Sequence, residues 1–187
     1  MSFIPTKNLV LIGGRGCGKS SIARRIKREN KQFTLFELDA LIRYEEEGMT
    51  IPQIVETYGW PHFRDVEFEV VAKVSTFRSG ALIDAGGGVV VDLDKEGKEV
   101  FSERKVRALR QNSLIVYLQR DTDYLLERIA GDSNRPSLSE TASFKKIMER
   151  RDPWYREAAD LVLKGKRLSK KQLTEMIMEW FQDTTDR

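Results

Sequence analysis

Along this chain the apolar positions alternate between two patterns, short unbroken runs and stripes repeating every three or four residues. The runs at 9–12, 81–83, 114–118 and 161–163, and the short aromatic and β-branched stretch 33–38, read as strands, with 81–83 and 114–118 buried, and the stripes between them as helices packed on those strands. Ile22, Ala23 and Ile26 mark the first helix. Phe63, Val66, Val70, Val71, Val74 and Phe77 mark the longest, predicted from 63 to 80 after a turn at Trp60-Pro61. Ahead of that turn Thr50 and Gln53 form a capping box, Pro52 is tolerated in the first helical turn, and Gly59 stops a short helix. A weaker helix is predicted over 100–111, another after Asp121 with Leu125, Leu126 and Ile129 inward, and a third over 144–151. The last, over 170–181, turns Leu173, Ile177, Trp180 and Phe181 inward, ahead of a tail at 182–187 expected to be disordered. Residues 92–99 are charged and read as loop; 131–137 are polar turn formers and read as mobile. Strands alternating with helices make βαβ units. The expected fold is therefore α/β, a parallel sheet flanked by helices on both faces in one domain over 1–187, with ligands at the carboxyl ends of the strands.

Chemistry enters where the first strand ends. Gly13-Gly14-Arg15-Gly16-Cys17-Gly18-Lys19-Ser20 matches G-x-x-x-x-G-K-[ST] between a strand and a helix, the context that the phosphate-cradling loop requires. Its glycines let backbone N–H groups turn inward around an anion, and the helix that follows presents the positive end of its dipole. Lys19 is placed to reach the β- and γ-phosphates and the Ser20 hydroxyl to ligate Mg²⁺. The expected class is a P-loop NTPase-type fold. Glu37-Leu38-Asp39 closes the second strand with two carboxylates that alternation points to one side, and Asp84 closes the third, where such folds hold a second Mg²⁺ contact. Glu37 reads equally as a metal ligand or as an ordinary strand-end carboxylate.

Composition narrows the partners. With 187 residues, 40% of them hydrophobic and 33% charged, the chain can bury a core of its own, and no apolar run approaches the roughly 20 residues that span a bilayer. A formal charge of only +3 spread along the chain gives no nucleic-acid footprint. The single Cys17, the absence of metal-spaced Cys and His clusters, and an N-terminus without a signal-peptide pattern point to a reducing, cytoplasmic setting. The lone His62 reads as a turn residue.

Further motifs follow in order: Phe63-Arg64 with Glu67, Gly86-Gly87-Gly88 after the middle strand, Arg128 with Arg135-Pro136, and Arg151-Asp152-Pro153-Trp154-Tyr155. Two arginines, a carboxylate and a bare glycine backbone suit a small substrate carrying a carboxylate and hydroxyls. With these motifs the chain resembles the shikimate kinase family over nearly its whole length.

That resemblance implies ATP-dependent phosphorylation of the shikimate 3-hydroxyl, in the pathway to chorismate and aromatic amino acids, by a monomer using Mg²⁺. Lys19, Asp39 and Arg135 are implied as catalytic, with Arg135 on a lid at about 131–142. The nucleotide set is Gly14, Arg15, Gly16, Cys17, Gly18, Lys19, Ser20, Ser21, Arg128 and Arg135. The substrate set is Asp39, Arg64, Gly86, Gly87, Gly88 and Arg151, within a helical region at about 40–80 that binds the substrate, and Glu67 orients Arg64. The metal set is Ser20, Glu37 and Asp84. The chain departs from the family pattern at Glu37 (usually Asp), Asp84 (usually small), Val55 (usually Phe) and a longer segment over 92–111. A related kinase acting on gluconate, or a nucleotide-binding relative without turnover, are the alternatives.

Overall fold

The computed structural model describes residues 3–129, 141–165 and 168–186. In chain order its elements are β1 (Asn8–Ile12), α1 (Lys19–Glu29), β2 (Thr34–Glu37), α2 (Leu38–Glu45), α3 (Ile51–Ser75), β3 (Ala81–Asp84) and β4 (Val91–Leu93). There follow β5 (Glu99–Phe101), α4 (Glu103–Arg110), β6 (Ser113–Gln119), α5 (Thr122–Ile129), α6 (Thr141–Ala158), β7 (Leu161–Lys164) and α7 (Lys170–Thr185). Five of the strands form one parallel sheet in the order β2-β3-β1-β6-β7. Every residue of β1 and β3 is buried. Because successive side chains point to opposite faces, unbroken burial means that helices cover both faces, as the apolar runs predict.

α1 packs by Ile22, Ala23 and Ile26, and α7 beside it by Leu173, Ile177 and Phe181, all essentially without exposure. Trp180 is only partly buried. Phe3, Phe33 and Phe181 join at ring-centroid distances of 5.7–6.4 Å, tying α7 to the edge of the sheet. No helix among the described residues is long and apolar enough to cross a membrane.

Five expectations are corrected. The stop at Gly59 is a kink inside α3: Gly59 takes φ 82°, ψ 169°, and Pro61 restarts the helix in a first turn that needs no donor from it. The second half then ends at Ser75, leaving Phe77 outside and 44% exposed. The charged stretch 92–99 is not a loop but most of an antiparallel hairpin, with Asp92 opposite Val100 and Leu93 opposite Glu99. Asp94 closes it, its Oδ1 accepting from the N–H groups of Glu96 and Lys98 at 2.9 Å, with Gly97 at φ 78°. α6 runs through Pro153 to Ala158. α7 continues to Thr185 where a disordered tail is expected, the Thr184 and Thr185 hydroxyls donating back to Trp180 O and Phe181 O at 2.7 and 2.9 Å.

The predicted capping box is present. Gln53 Oε1 accepts from Thr50 N at 2.9 Å and Thr50 Oγ1 accepts from Gln53 N at 3.4 Å.

Candidate active site

β1 sits between β3 on one side and β6 on the other, so the direction of winding reverses at its carboxyl end. A crevice opens there, and the glycine loop crosses it. Gly18 caps α1 at φ 99°, a backbone that residues with a Cβ rarely adopt, and a Cβ on Gly13 would sit 2.8 Å from Leu118 O. Lys19 folds back over the loop, its Nζ donating to Gly13 O at 2.8 Å and Gly14 O at 3.3 Å. Burial alone would lower its pKa, but Cys17, Asp84, Tyr155 and Asp39 outweigh burial and hold the ammonium above its ordinary value. Lys19 is thus a cation at neutral pH.

The loop forms one wall of a cavity of about 350 Å³. Arg15, Gly16 and Gly18 line it from the loop, Lys19, Ser20 and Ser21 from the start of α1, Arg128 from α5, Glu37 and Asp84 from the strand ends, and Asp39 beside them. β2 and β3 pair in register, so Glu37 lies beside Asp84. Asp39 arrives differently from the sequence expectation: the strand stops at Glu37, and Asp39 enters from the first turn of α2. Asp84 accepts a hydrogen bond from Ser20, and its pKa is raised, by burial first, with Asp39 and Glu37 adding and Lys19 opposing. Glu37 Oε1 accepts from Arg24 Nε and Nη2 at 2.9 and 2.8 Å, so part of its charge is already balanced.

These oxygens fit Mg²⁺. A hydroxyl beside a carboxylate, with two more carboxylates close enough to raise that group, is a hard-oxygen set that a cation relieves. Among the described residues no three His, Cys, Asp or Glu groups make an all-protein metal cage. Mg²⁺ does not need one, since it takes one or two carboxylates together with substrate phosphates.

A second cavity, of about 170 Å³, adjoins the first and shares Arg15, Asp39, Gly86 and Gly87 with it. All six residues of the predicted substrate set line it: Asp39, Arg64, Gly86, Gly87, Gly88 and Arg151. The glycines are demanded by proximity. A Cβ on Gly86 would fall 2.6 Å from Asp39 Oδ1, and one on Gly88 would overlap the Arg64 guanidinium. Gly87 O accepts from the Tyr155 hydroxyl and, at 3.3 Å, from Arg151 Nη1.

Arg64 is 5% exposed and packed over Trp60 and Phe63, its Cζ 5.3 and 5.2 Å from their ring centroids. Its Nη1 donates to Glu67 Oε2 at 2.8 Å and to Gly88 O at 3.3 Å. Its buried Nε finds no hydrogen-bond partner among the described residues.

Other sequence assignments are not met at the expected walls, and Gly14, of the nucleotide set, lines the second cavity and not the first. Arg135, and nearly all of the expected lid, lie outside the described residues. The Cys17 side chain is buried in the core and lines neither cavity, which leaves its backbone N–H as the group it can offer a phosphate. Val55 packs on the core instead of the second cavity, where Ile51, Trp60 and Phe63 stand.

Several lining residues carry no role in the sequence reading. Trp60, Phe144, Met148 and Tyr155 build the apolar side of the second cavity. Trp60 is an aromatic one helical turn from Arg64, a signal the sequence contains, whereas Lys105, buried against Glu67 at 2.6 Å, has none.

Comparison with known proteins agrees with this geometry. The shikimate kinase family model matches residues 15–182. A curated shikimate kinase of Leptospira biflexa is 40% identical over 173 residues, 92% of this chain and 94% of the relative. One from Pseudomonas putida is 31% identical across 97% of this chain and 99% of its own. Among solved structures, a shikimate kinase from Acinetobacter baumannii in complex with shikimate superposes with a TM-score of 0.83 at 25% identity, covering 100% of this chain and 97% of that one.

Proposed function

The chain belongs to the shikimate kinase family, and on that premise we propose that it transfers the γ-phosphoryl group of ATP to the 3-hydroxyl of shikimate. The observation that carries the acceptor assignment is that two guanidinium side chains, Arg64 and Arg151, line one cavity together with Asp39 and three glycines. A planar carboxylate offers the two oxygens that a pair of guanidinium groups can match.

The nucleotide phosphates belong in the first cavity, over the loop amides and the start of α1. Lys19 gives up the Gly13 and Gly14 carbonyls and places its charge on the phosphate being transferred. Asp39, shared by the two cavities, stands where the acceptor hydroxyl meets the phosphate, aligns that hydroxyl and takes its proton. Ser20 and Asp84 would hold Mg²⁺, with Glu37 dividing its charge between Arg24 and the cavity. Such an ion would supply positive charge against the charge that develops on the phosphate oxygens. Arg128, on α5, closes the nucleotide end. The tight glycine backbone of 86–88 lets the acceptor ring approach without a side chain in the way. Arg135 and the lid over 131–142 enter this reading through the family resemblance, as the group that follows the phosphate and the cover that excludes water. The reading further takes the protein as a cytoplasmic monomer acting on a small molecule, with neither nucleic acid nor membrane as partner.

A coupled assay of ADP release with ATP, Mg²⁺ and shikimate tests this. The expected result is release that depends on shikimate. Release supported instead by gluconate, or nucleotide binding without turnover, overturns the proposal.

A further inference from the structure

The hairpin β4–β5 has no part in the motifs, yet it reaches the second cavity from outside. Val91 O, at its first residue, accepts from Lys105, the partner of Glu67. Glu99, on the returning strand, crosses to α6. There its Oε2 accepts from Arg151 Nε at 3.1 Å and its Oε1 from Arg151 Nη2, so the carboxylate lies side-on along one edge of that guanidinium. Arg150, more exposed, donates to the same Oε2 from Nε and Nη2 at 3.1 and 2.7 Å. Arg151 Nη1 is left on the opposite edge, 3.3 Å from Gly87 O at the cavity wall.

Resting on the reading of Arg151 as an acceptor residue, we propose that Glu99 is its positioning residue: the hairpin carboxylate fixes the plane of the guanidinium and turns Nη1 toward the acceptor's carboxylate. The chemistry favours it. A guanidinium on a four-bond stem samples many rotamers, and a two-point carboxylate contact along one edge selects both its position and its plane. Although burial alone would raise the Glu99 carboxyl, Arg151 and Arg150 hold it below the usual range, so the anchor stays ionised at neutral pH. The hairpin therefore serves both arginines of the site. Glu99 holds Arg151 directly, and Val91 steadies Arg64 through Lys105 and Glu67.

The test is a double-mutant cycle read on shikimate. Glu99→Gln keeps the side-chain shape but sets an NH₂ group against one guanidinium N–H, breaking the two-point contact. It should raise both the dissociation constant and the KM for shikimate by about tenfold, the scale of one charge-assisted hydrogen bond, with kcat and the KM for ATP little changed. In an Arg151→Met background the same change should add nothing. Glu99→Asp, one methylene short, should fall between wild type and Glu99→Gln, and it repeats the test if Glu99→Gln melts early. Three results overturn the proposal alone, given an Arg151→Met variant impaired toward shikimate: a shikimate KM unchanged or lowered by Glu99→Gln, an equal effect of Glu99→Gln in the Arg151→Met background, or a wild-type KM for Glu99→Asp. An Arg151→Met variant that uses shikimate normally overturns the acceptor reading of Arg151, and this proposal with it.

Discussion

Lys105 and Glu67 meet at 2.6 Å with both side chains out of solvent, and the oxygen that accepts from Lys105, Oε2, also accepts from Arg64 Nη1 at 2.8 Å. One anion thus lies between two cations. Burial alone would raise Glu67, but Lys105 and Arg64 together hold its carboxyl below the usual carboxylate range. Lys105 is itself held low, by burial first and with Arg64 adding, against the opposing pull of Glu67 and Asp92. The pair fixes Arg64 at the cavity wall, so a stability element and a binding element share one carboxylate.

Removing that carboxylate should be expensive. Glu67→Ala leaves Arg64 buried without its counter-charge and Lys105 with only Asp92, 3.9 Å away, and breaking a buried pair in this way costs about 3–5 kcal/mol. Urea unfolding should register the loss. The pH dependence follows from the direction of the shift. Since Glu67 lies below its ordinary value of 4.5 when folded, its contribution is complete above that pH and disappears as pH falls through the depressed value. Below pH 4.5 the unfolding free energy should therefore decline less steeply in Glu67→Gln than in the wild type. Equal slopes in the two proteins would remove Glu67 from the acid response.

Lys19 is the subject of the second prediction. It lines the phosphate cavity at the start of α1 with its Nζ folded back on the Gly13 and Gly14 carbonyls, and its charge is maintained against burial by Cys17, Asp84, Tyr155 and Asp39. A group that stabilises charge developing in the transition state contributes mainly to kcat. Lys19→Ala should lower kcat by two or more orders of magnitude, about 3 kcal/mol or more in barrier. Steady-state turnover checks it, and near-normal kcat would take Lys19 out of the reaction.

How much of this is legible in the sequence depends on how local the signal is. The loop, the strands around it and the glycines at 86–88 are written in consecutive residues, and the structure places them at one crevice. The hairpin is hidden because its turn residues, Asp94 to Gly97, are as charged as a loop, and three-residue strands show almost no alternation. Pro153 reads as a helix breaker, although α6 continues through it. Asp39 reaches its cavity by a helix start that follows the strand without a linker, a junction no propensity marks. The pairings Lys105 with Glu67 and Arg151 with Glu99 join residues 38 and 52 positions apart, and only the folded chain brings them together.

Asp84 bears on metal use. It accepts from Ser20, and Glu37, its neighbour across the sheet, is already engaged by Arg24. Asp84 is then the carboxylate with most to offer a cation beside the phosphates. Asp84→Ala should raise the Mg²⁺ concentration needed for half-maximal rate while the rate at saturating Mg²⁺ recovers in part. A titration of initial rate against Mg²⁺ decides this, and an unaltered midpoint would leave Asp84 as a structural strand end.

The last prediction concerns Arg64, because it separates acceptor from nucleotide. Arg64 lines the second cavity and not the first, and its guanidinium is clamped by Glu67, by Gly88 O and by the faces of Trp60 and Phe63. The guanidinium is therefore already held in place before substrate arrives, which lowers the ordering cost of binding. A charge-assisted hydrogen bond contributes about 1.5–3 kcal/mol, and a carboxylate left half-paired in a dry cavity loses more. Arg64→Ala should cut kcat/KM for shikimate by roughly ten- to several-hundredfold, at about 1.4 kcal/mol per decade, while ATP binding changes little. Arg64→Lys should recover only part of the loss, since an ammonium keeps the charge but not the planar fork or its stacking on Trp60. Both variants should be compared with wild type for thermal stability, because Glu67 also depends on Arg64. If Arg64→Ala weakens ATP binding as much as it weakens shikimate use at equal stability, Arg64 belongs to the nucleotide side of the crevice and the second cavity is not the acceptor site.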